Sequence, residues 1–291
     1  MGVRLRQIAL VGQDIDWSVD TLRAIFDVHV AFRDPGIVPS FGGMFNALLG
    51  FGDTFLEIVS PTDAGYEQDS TSAKLLRKMG GDCGYMCIFG VDDIAHTSAR
   101  VAKLGRVATS FGYKIGSELP KPDGKQTSAI VQWHPKDFGT LMETEEQWPP
   151  PGTAGLVEGA WLPAGKRWQE TYRVRSSSVC EEFASAVIAV DNPRSMAQKW
   201  SDGLECVLID ETTLQLSGAD QTVRFETVAA NGGRTGVVAV DVYAAPGKPK
   251  AFTGEIFVHG IRWRLVDREG AAASEQMFAR INPGGAPVPR L

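Results

Sequence analysis

Two glutamates stand in otherwise strand-like segments, Glu57 in DTFLEIV and Glu143 in GTLMETE. Alternate residues of a strand face opposite sides. Phe55, Glu57 and Val59 therefore share one face, and Leu56 and Ile58 share the other. By the same rule Leu141, Glu143 and Glu145 oppose Met142. Leu56, Ile58 and Met142 are expected to pack on helices, which turns both glutamates to the opposite side. Two carboxylates that face one cavity repel unless a cation or a proton lies between them. That constraint suits a divalent-ion site, and it suits equally a pair split into general acid and general base.

The segments that would position these residues repeat. RLRQIALVG forms an apolar run, GQDID interrupts it, and DWSVDTLRAIFDV follows. In the last of these, Trp17, Val19, Leu22, Ile25 and Phe26 recur at helical spacing, with Asp16 or Ser18 as the expected cap. HVAFRD, MFNALLGFG and TFLEIVS supply three strands, and STSAKLLRKMGG a closing helix. GYMCIFGVDDIAHTSARVAKLG then restarts the pattern, with RVATSFGYK, TSAIVQWHP and GTLMETEE as its strands. Superimposing the two units places Asp14 over Asp93, Gln7 over Met86 and Glu57 over Glu143, a repeat at module scale. Asp14 and Asp93 read as strand-to-helix caps.

Residues 147–179 form a Pro/Gly-rich linker between a domain at 1–146 and a second at 180–291. In the second, EEFASAVIAVDNPRSMAQKWSDGLE repeats strand, polar dipeptide and helix, with Ser185 and Glu226 in the slots of Gln7 and Glu57. RTGVVAVDVYAA to EIFVHGIRWRLVD reads as a shortened fourth copy with a weak helix, and NPGGAPVPRL as a surface-bound or disordered end.

Composition narrows the function classes. The chain has 291 residues, 43% hydrophobic and 22% charged, with a formal net charge of −6, as in a globular protein without a nucleic-acid surface. No apolar stretch is long enough to span a bilayer, and the polar QDID comes too early for a signal-peptide core. Cys83, Cys87, Cys180 and Cys206 lack a CxxC pair and read as buried thiols in a reducing cytoplasm. Dinucleotide, P-loop and GxSxG signatures are absent.

The phrases RLRQIALVGQDIDWSVD, GDTFLEIVSP, GGDCGYMCIFGVDDI and WHPKDFGTLMETEE resemble the vicinal oxygen chelate superfamily, which includes glyoxalase I and extradiol dioxygenases. The resemblance implies an α+β fold of tandem βαβββ modules forming cupped mixed sheets, here in two glyoxalase-like domains. It also implies ligand slots on the first and last strand of each module, which are Gln7, Glu57, Met86 and Glu143. Gln7, Glu57 and Glu143 are the metal ligands it suggests. Met86 stands where glyoxalase I has a histidine, and a thioether is a poor ligand for hard ions. Glu57, Glu143 and His134 are the catalytic candidates, and Gln7, Met86, Phe55 and Trp133 the substrate-binding ones. His134 reads more readily as a strand-end residue capping the following turn, and the glutamates also read as partners of Arg6, Arg33 or a substrate amine.

Two functional classes follow. One is an isomerase- or lyase-type enzyme that stabilises an enolate or oxyanion of a small oxygenated substrate, with a divalent metal or without one. The other is a metal-free protein that sequesters an apolar or aromatic molecule. Both imply a small-molecule partner and no nucleic acid or membrane, and both a monomer and a homodimer fit.

Overall fold

The computed structural model describes residues 2–34, 43–119, 128–148, 177–247 and 250–268. The body of the expected linker, the tail and most of two loops (35–42 and 120–127) lie outside them. The first module consists of β1 (Val3–Val11), α1 (Ile15–Phe26), β2 (Val30–Phe32), β3 (Met44–Phe51) and β4 (Thr54–Pro61). Helices α2 (Asp63–Glu67) and α3 (Thr71–Met79) lead to the second module. That module holds β5 (Cys83–Val91), α4 (Ile94–Val101), β6 (Val107–Phe111), β7 (Ser128–Trp133), α5 (Pro135–Phe138) and β8 (Leu141–Gln147).

Sequence composition explains the element ends. Asp14 accepts hydrogen bonds from the backbone N–H groups of Asp16 and Trp17, and Asp93 accepts one from His96. Each fills an otherwise unsatisfied donor at a helix start. The cap of α1 is therefore Asp14, as its reading as a strand-to-helix cap expected, whereas Asp16 and Ser18 lie within the first turn, which corrects the expectation placed on them. A left-handed residue, Asp27 at φ 50°, ends α1 and returns its N–H to the Arg23 carbonyl.

The eight strands form one mixed sheet in the order β2-β3-β4-β1-β5-β8-β7-β6. Each module contributes four strands, and the modules join where β1 runs antiparallel to β5. The four central strands are therefore β4, β1, β5 and β8, the first and last of each module. Register confirms the internal superposition: Glu57 lies opposite Ala9, two residues after Gln7, and Glu143 lies opposite Ile88, two after Met86.

The second sheet follows the same plan with one strand fewer. Its elements are β9 (Cys180–Val190), α6 (Pro193–Leu204), β10 (Val207–Leu208), β11 (Thr213–Gln215), β12 (Thr222–Thr227), β13 (Gly236–Ala244), β14 (Glu255–Val258) and β15 (Ile261–Val266). The order is β10-β11-β12-β9-β13-β15-β14. Among the described residues the fourth module has three strands and no helix. The fold class is thus the α+β arrangement of tandem modules that the resemblance implied.

The two sheets share one core. Phe26 meets Trp263 at 5.0 Å between ring centroids, Phe51 meets Phe183 at 5.1 Å, and Trp200 lies between Phe89 at 5.5 Å and Phe225 at 5.3 Å. These rings come from both sheets and from the helices between them, and burying such side chains is the main stabilising contribution. Backbones also approach closely: a Cβ on Gly84 of β5 would lie 2.2 Å from the Val237 carbonyl oxygen of β13, so only glycine fits there. Among the described residues no helix is long and apolar enough to cross a membrane.

A buried polar link crosses this core at Gln221. The Gln221 side chain accepts from the Leu5 N–H at 2.9 Å and donates to the carbonyls of Leu5 and Phe183, each at 3.0 Å. Gln221 thereby ties the second sheet to β1 through buried groups. Each buried group left without a partner costs about 1–3 kcal/mol. Gln221→Leu should therefore destabilise the fold by a few kcal/mol in urea unfolding, and an unchanged midpoint would show the link to be dispensable.

Candidate active site

The sheet face turned away from this core is a cup, and its floor comes from the four central strands and β3. Ala9, Leu48, Phe55, Met86 and Ile88 pack together there, with Tyr85 and Leu141 against them. Val11, Val59 and Cys83 extend the floor to α3, whose Leu76 closes one end. The opposite side chains of the same strands, including Ile8, Leu10, Leu56, Ile58 and Met142, belong to the shared core.

Three carboxyls project from this apolar floor: Glu57 at 8% exposure, Glu143 at 5% and Glu145 at 1%. Both oxygens of Glu57 accept side-chain amide donors, Oε2 from Gln7 at 2.9 Å and Oε1 from Asn46 at 2.8 Å. Glu143 Oε2 accepts from Gln132 at 2.8 Å. Glu145 Oε1 accepts from Gln147. A bulge in β1 between Leu5 and Gln7 offsets the alternation there, and Arg6 is buried with Nη1 3.3 Å from Asp53. Arg33 pairs instead with Asp16 at 2.7 Å.

Burial dominates the electrostatics. Desolvation raises the Glu57 carboxyl above its ordinary value despite the lowering by Asn46 and Gln7. It pushes Glu143 up to about 7, with the hydrogen bond from Gln132 opposing and the charge of Glu57 adding. Glu145 is raised well above the usual range, by burial first and by Glu143 next. The Tyr85 hydroxyl is pushed up to about 12 by burial and by Glu57 and Glu143. A carboxyl poised near neutrality in an apolar cup is suited to exchanging a proton with a bound molecule.

The structure brings Gln7, Phe55, Glu57, Met86 and Glu143 together in the cup. It places Trp133 elsewhere: this residue is 0% exposed in the core behind the sheet, and its indole N–H donates to Thr144 Oγ1 at 3.1 Å. Its neighbour Gln132 takes the cup-facing place on β7. His134 ends that strand and caps α5, its Nδ1 accepting from the Lys136 N–H at 3.2 Å. It lines the groove beside the cup and not the floor around Glu143. Sequence reasoning overlooked Asn46 and Gln132, although a lone Asn in MFNALLGF and a lone Gln in SAIVQW were visible signals.

The donor set does not fit a hard divalent ion. Gln7 presents its amide N–H to Glu57 and not its carbonyl oxygen, and Asn46 occupies the other oxygen. The fourth slot holds the Met86 sulfur, which hard ions disfavour. Among the described residues, no three His, Cys, Asp or Glu side chains converge as a metal site.

A groove of about 1010 Å³ opens beside the cup and contains Gln132, Tyr85 and Leu141 in its wall. Its far wall comes from the second sheet and α6. Lys74, Lys78, Lys136 and Lys199 line it against one acid, Asp191, in a chain whose net charge is −6.

The corresponding cup of the second sheet is neutralised. Glu226 lies opposite Ala189 as Glu57 lies opposite Ala9. The Gln7 slot there is thus Val187, which corrects the expected Ser185. Arg262, opposite Ala239 next to Val187, takes the place of Glu143 and donates to Glu226 Oε2 at 2.8 Å. Asp241 is held in two hydrogen bonds by Arg264 at 2.7 and 2.6 Å.

No family model matches the chain, and no curated protein matches it. Among solved structures, a hypothetical protein from Staphylococcus aureus aligns over 92% of this chain and 100% of its own, with 12% identity and a TM-score of 0.63. A Streptomyces coelicolor methylmalonyl-CoA epimerase variant bound to 2-nitronate-propionyl-CoA aligns over 50% of this chain and 99% of its own, with 25% identity and a TM-score of 0.40. The Mycobacterium tuberculosis methylmalonyl-CoA epimerase covers 50% and 88%, with 21% identity and a TM-score of 0.38. The strand order and the register of the repeats are those of the paired βαβββ modules that the resemblance implied.

Two outcomes follow from the site. The folded state keeps a proton on Glu143 up to about 7, whereas the unfolded chain releases it near 4.5. Folding therefore binds protons in that window, and stability falls as pH rises through it. Urea midpoints should be lower at about pH 8 than at about pH 5, with a narrower gap in Glu143→Gln. The same gap in both proteins would count against a buried, protonated Glu143. Elemental mass spectrometry of protein purified without chelator should find only trace divalent metal. A near-stoichiometric ion that is lost in Glu57→Gln would restore the ligand reading.

Proposed function

We propose that the protein is an isomerase-type enzyme that moves a proton at a carbon beside a carbonyl group, with Glu143 as the group that carries it. The observation behind this reading is the position of Glu143, a buried carboxyl raised to about 7 beside a second buried acid on an apolar floor. As a carboxylate, Glu143 takes the proton from carbon; the electron pair passes to the carbonyl oxygen, and an enolate forms. Delivery of a proton from a protonated Glu57 to the opposite face of the same carbon completes an epimerisation, whereas return from Glu143 to the original face gives exchange without inversion.

Supporting groups are present for the enolate. Each side-chain amide nitrogen carries two hydrogens. The Gln132 nitrogen donates one to Glu143, and it faces the Met86 sulfur, a weak acceptor, at 4.0 Å. An enolate oxygen would replace that sulfur with a strong acceptor, an interaction gained where charge develops. Closure of the floor by Leu48, Phe55 and Ile88 limits water around the reacting carbon. The groove beside the cup favours a substrate whose small reacting end carries an anionic extension that the lysines could meet.

The test is incorporation of deuterium from D₂O into α-substituted acyl thioesters and α-hydroxy ketones, followed by proton NMR. Wild-type protein should exchange the α-proton of one class, with a rate that rises with pH through about 7 because the base must be ionised. Glu143→Gln should lower that rate by about 10²–10⁴-fold, the usual share of general acid–base catalysis. Tight binding without exchange would overturn this reading and leave a metal-free binding protein.

A further inference from the structure

Two helix faces meet across the groove beside the cup. Lys74, Leu75, Lys78 and Met79 of α3 line it on one side, and Met196 and Lys199 of α6 on the other. Spacings of three and four residues put each set on a single face of its helix. The opposite face of α3, with Ser72, Ala73 and Leu76, is buried. Helix α5 adds Lys136 to the lining. Close contacts between the two sheets fix these walls. A Cβ on Gly139 would lie 2.4 Å from Val190 Cγ1. The Trp200 indole N–H donates to the Phe138 carbonyl at 3.2 Å, and Lys199 Nζ donates to the Asp137 carbonyl at 2.9 Å. The cavity is therefore preformed, with apolar and charged groups already in place for a ligand.

The charge of the lining is not balanced from within. Among the described residues, lysine ion pairs form at Lys74 with Asp69 (3.6 Å) and at Lys250 with Asp267 (2.8 Å), and none at Lys78, Lys136 or Lys199. Asp137, next to Lys199, is already held by Arg106 at 2.7 and 3.0 Å. A cleft with low-dielectric walls concentrates such an imbalance on whatever enters it. No arginine lines the groove, so it offers no planar fork to match a carboxylate. Compact ammonium groups on flexible stems suit an anion that accepts from several directions, as a phosphate does. Leu75, Met79 and Met196 add an adaptable apolar surface beside them. We propose that the groove binds an organic phosphate, with its phosphate groups on Lys78, Lys136 and Lys199 and its apolar body against Leu75, Met79 and Met196. The site stands apart from the reaction in the cup. Only its use as the holder of a substrate's far end rests on the proton-transfer reading, since Tyr85 and Leu141 belong to both groove and cup.

The experiment is isothermal titration calorimetry of the full chain with ADP, octyl phosphate, octanoate and inorganic pyrophosphate. ADP or octyl phosphate should bind, and more tightly at about 50 mM than at about 200 mM salt, because salt screens exposed charges. Octanoate lacks the phosphate and pyrophosphate lacks the apolar body, so each should bind about tenfold more weakly or worse. Lys78→Glu and Lys136→Glu should each weaken the phosphate probe by about ten- to a hundredfold, the share of a hydrogen bond to a charged group. Lys250→Glu, which alters a lysine outside the groove, should bind as the wild type does. A preference between ADP and octyl phosphate identifies the body as a nucleoside or an alkyl chain, and either supports the proposal. Absence of binding by both would overturn it. So would equal affinity for octanoate, equal affinity for pyrophosphate, or full affinity in both groove variants. Lys78 and Lys136 are exposed, and urea unfolding checks that their variants fold. Should either Glu variant unfold, Gln at the same position replaces it with the same direction of effect. These titrations read binding without turnover. Phosphate binding without deuterium exchange would therefore sink the enzyme reading alone, and exchange without phosphate binding would sink the groove alone.

Discussion

The cost of taking carboxylates out of water organises this molecule. Three glutamates stand on an apolar sheet face, where an ionised acid without compensation would be several kcal/mol too expensive to keep. The protein compensates in two different ways. Around Glu57 it supplies amide donors, Gln7 and Asn46, one to each oxygen. At Glu143 it supplies the Gln132 amide on one oxygen, and burial there and at Glu145 lets protonation carry part of the cost. The same side chain on two strands that flank β1 and β5 is thereby given different proton affinities, which an acid/base pair requires.

The second cup shows the same slot treated in a third way. There the position equivalent to Glu143 is Arg262, and it pairs with Glu226 at 2.8 Å. Arg224 and Asn231 complete the surroundings of Glu226, whose carboxyl stays below its ordinary value chiefly because the hydrogen bonds from Arg262 and Asn231 outweigh its partial burial. A carboxylate neutralised internally has no proton to offer near neutral pH and no call for an external cation. The second sheet instead contributes shape: its helix α6 and strand β13 form the far wall of the groove that begins at Gln132. One duplicated framework therefore separates into a cup with unbalanced acid and a partner that braces it.

Much of this was legible in the sequence, for reasons that can be traced. The repeat between the first two modules carried the correct register because the path from strand to helix cap keeps its length: five positions separate Ala9 from Asp14 and Ile88 from Asp93. In the third module only three separate Ala189 from the cap Asn192. Aligning on the cap therefore moved the strand by two residues, and Ser185 was expected where Val187 stands. A shift by two preserves the face of a strand, so the error concerned depth along the strand and not direction. Trp133 failed differently. Its type suggested a binding aromatic, but SAIVQW alternates, with Ala129, Val131 and Trp133 on one face and Ser128, Ile130 and Gln132 on the other. The apolar set was the core set.

What periodicity could not supply was the identity of neighbours across strands. Asn46 reaches Glu57 because β3 pairs antiparallel with β4, placing Leu48 opposite Glu57 and Asn46 two residues along. Gln132 stands directly opposite Glu143 for the same kind of reason. Neither pairing follows from the local pattern of one strand, because register depends on turns and on the bulges in β1. The chemistry of the cup thus depends on cross-strand partners more than on the acids themselves. A glutamate in a strand is a common enough residue. The donor placed opposite it sets how far burial raises its carboxyl, as Gln132 does for Glu143.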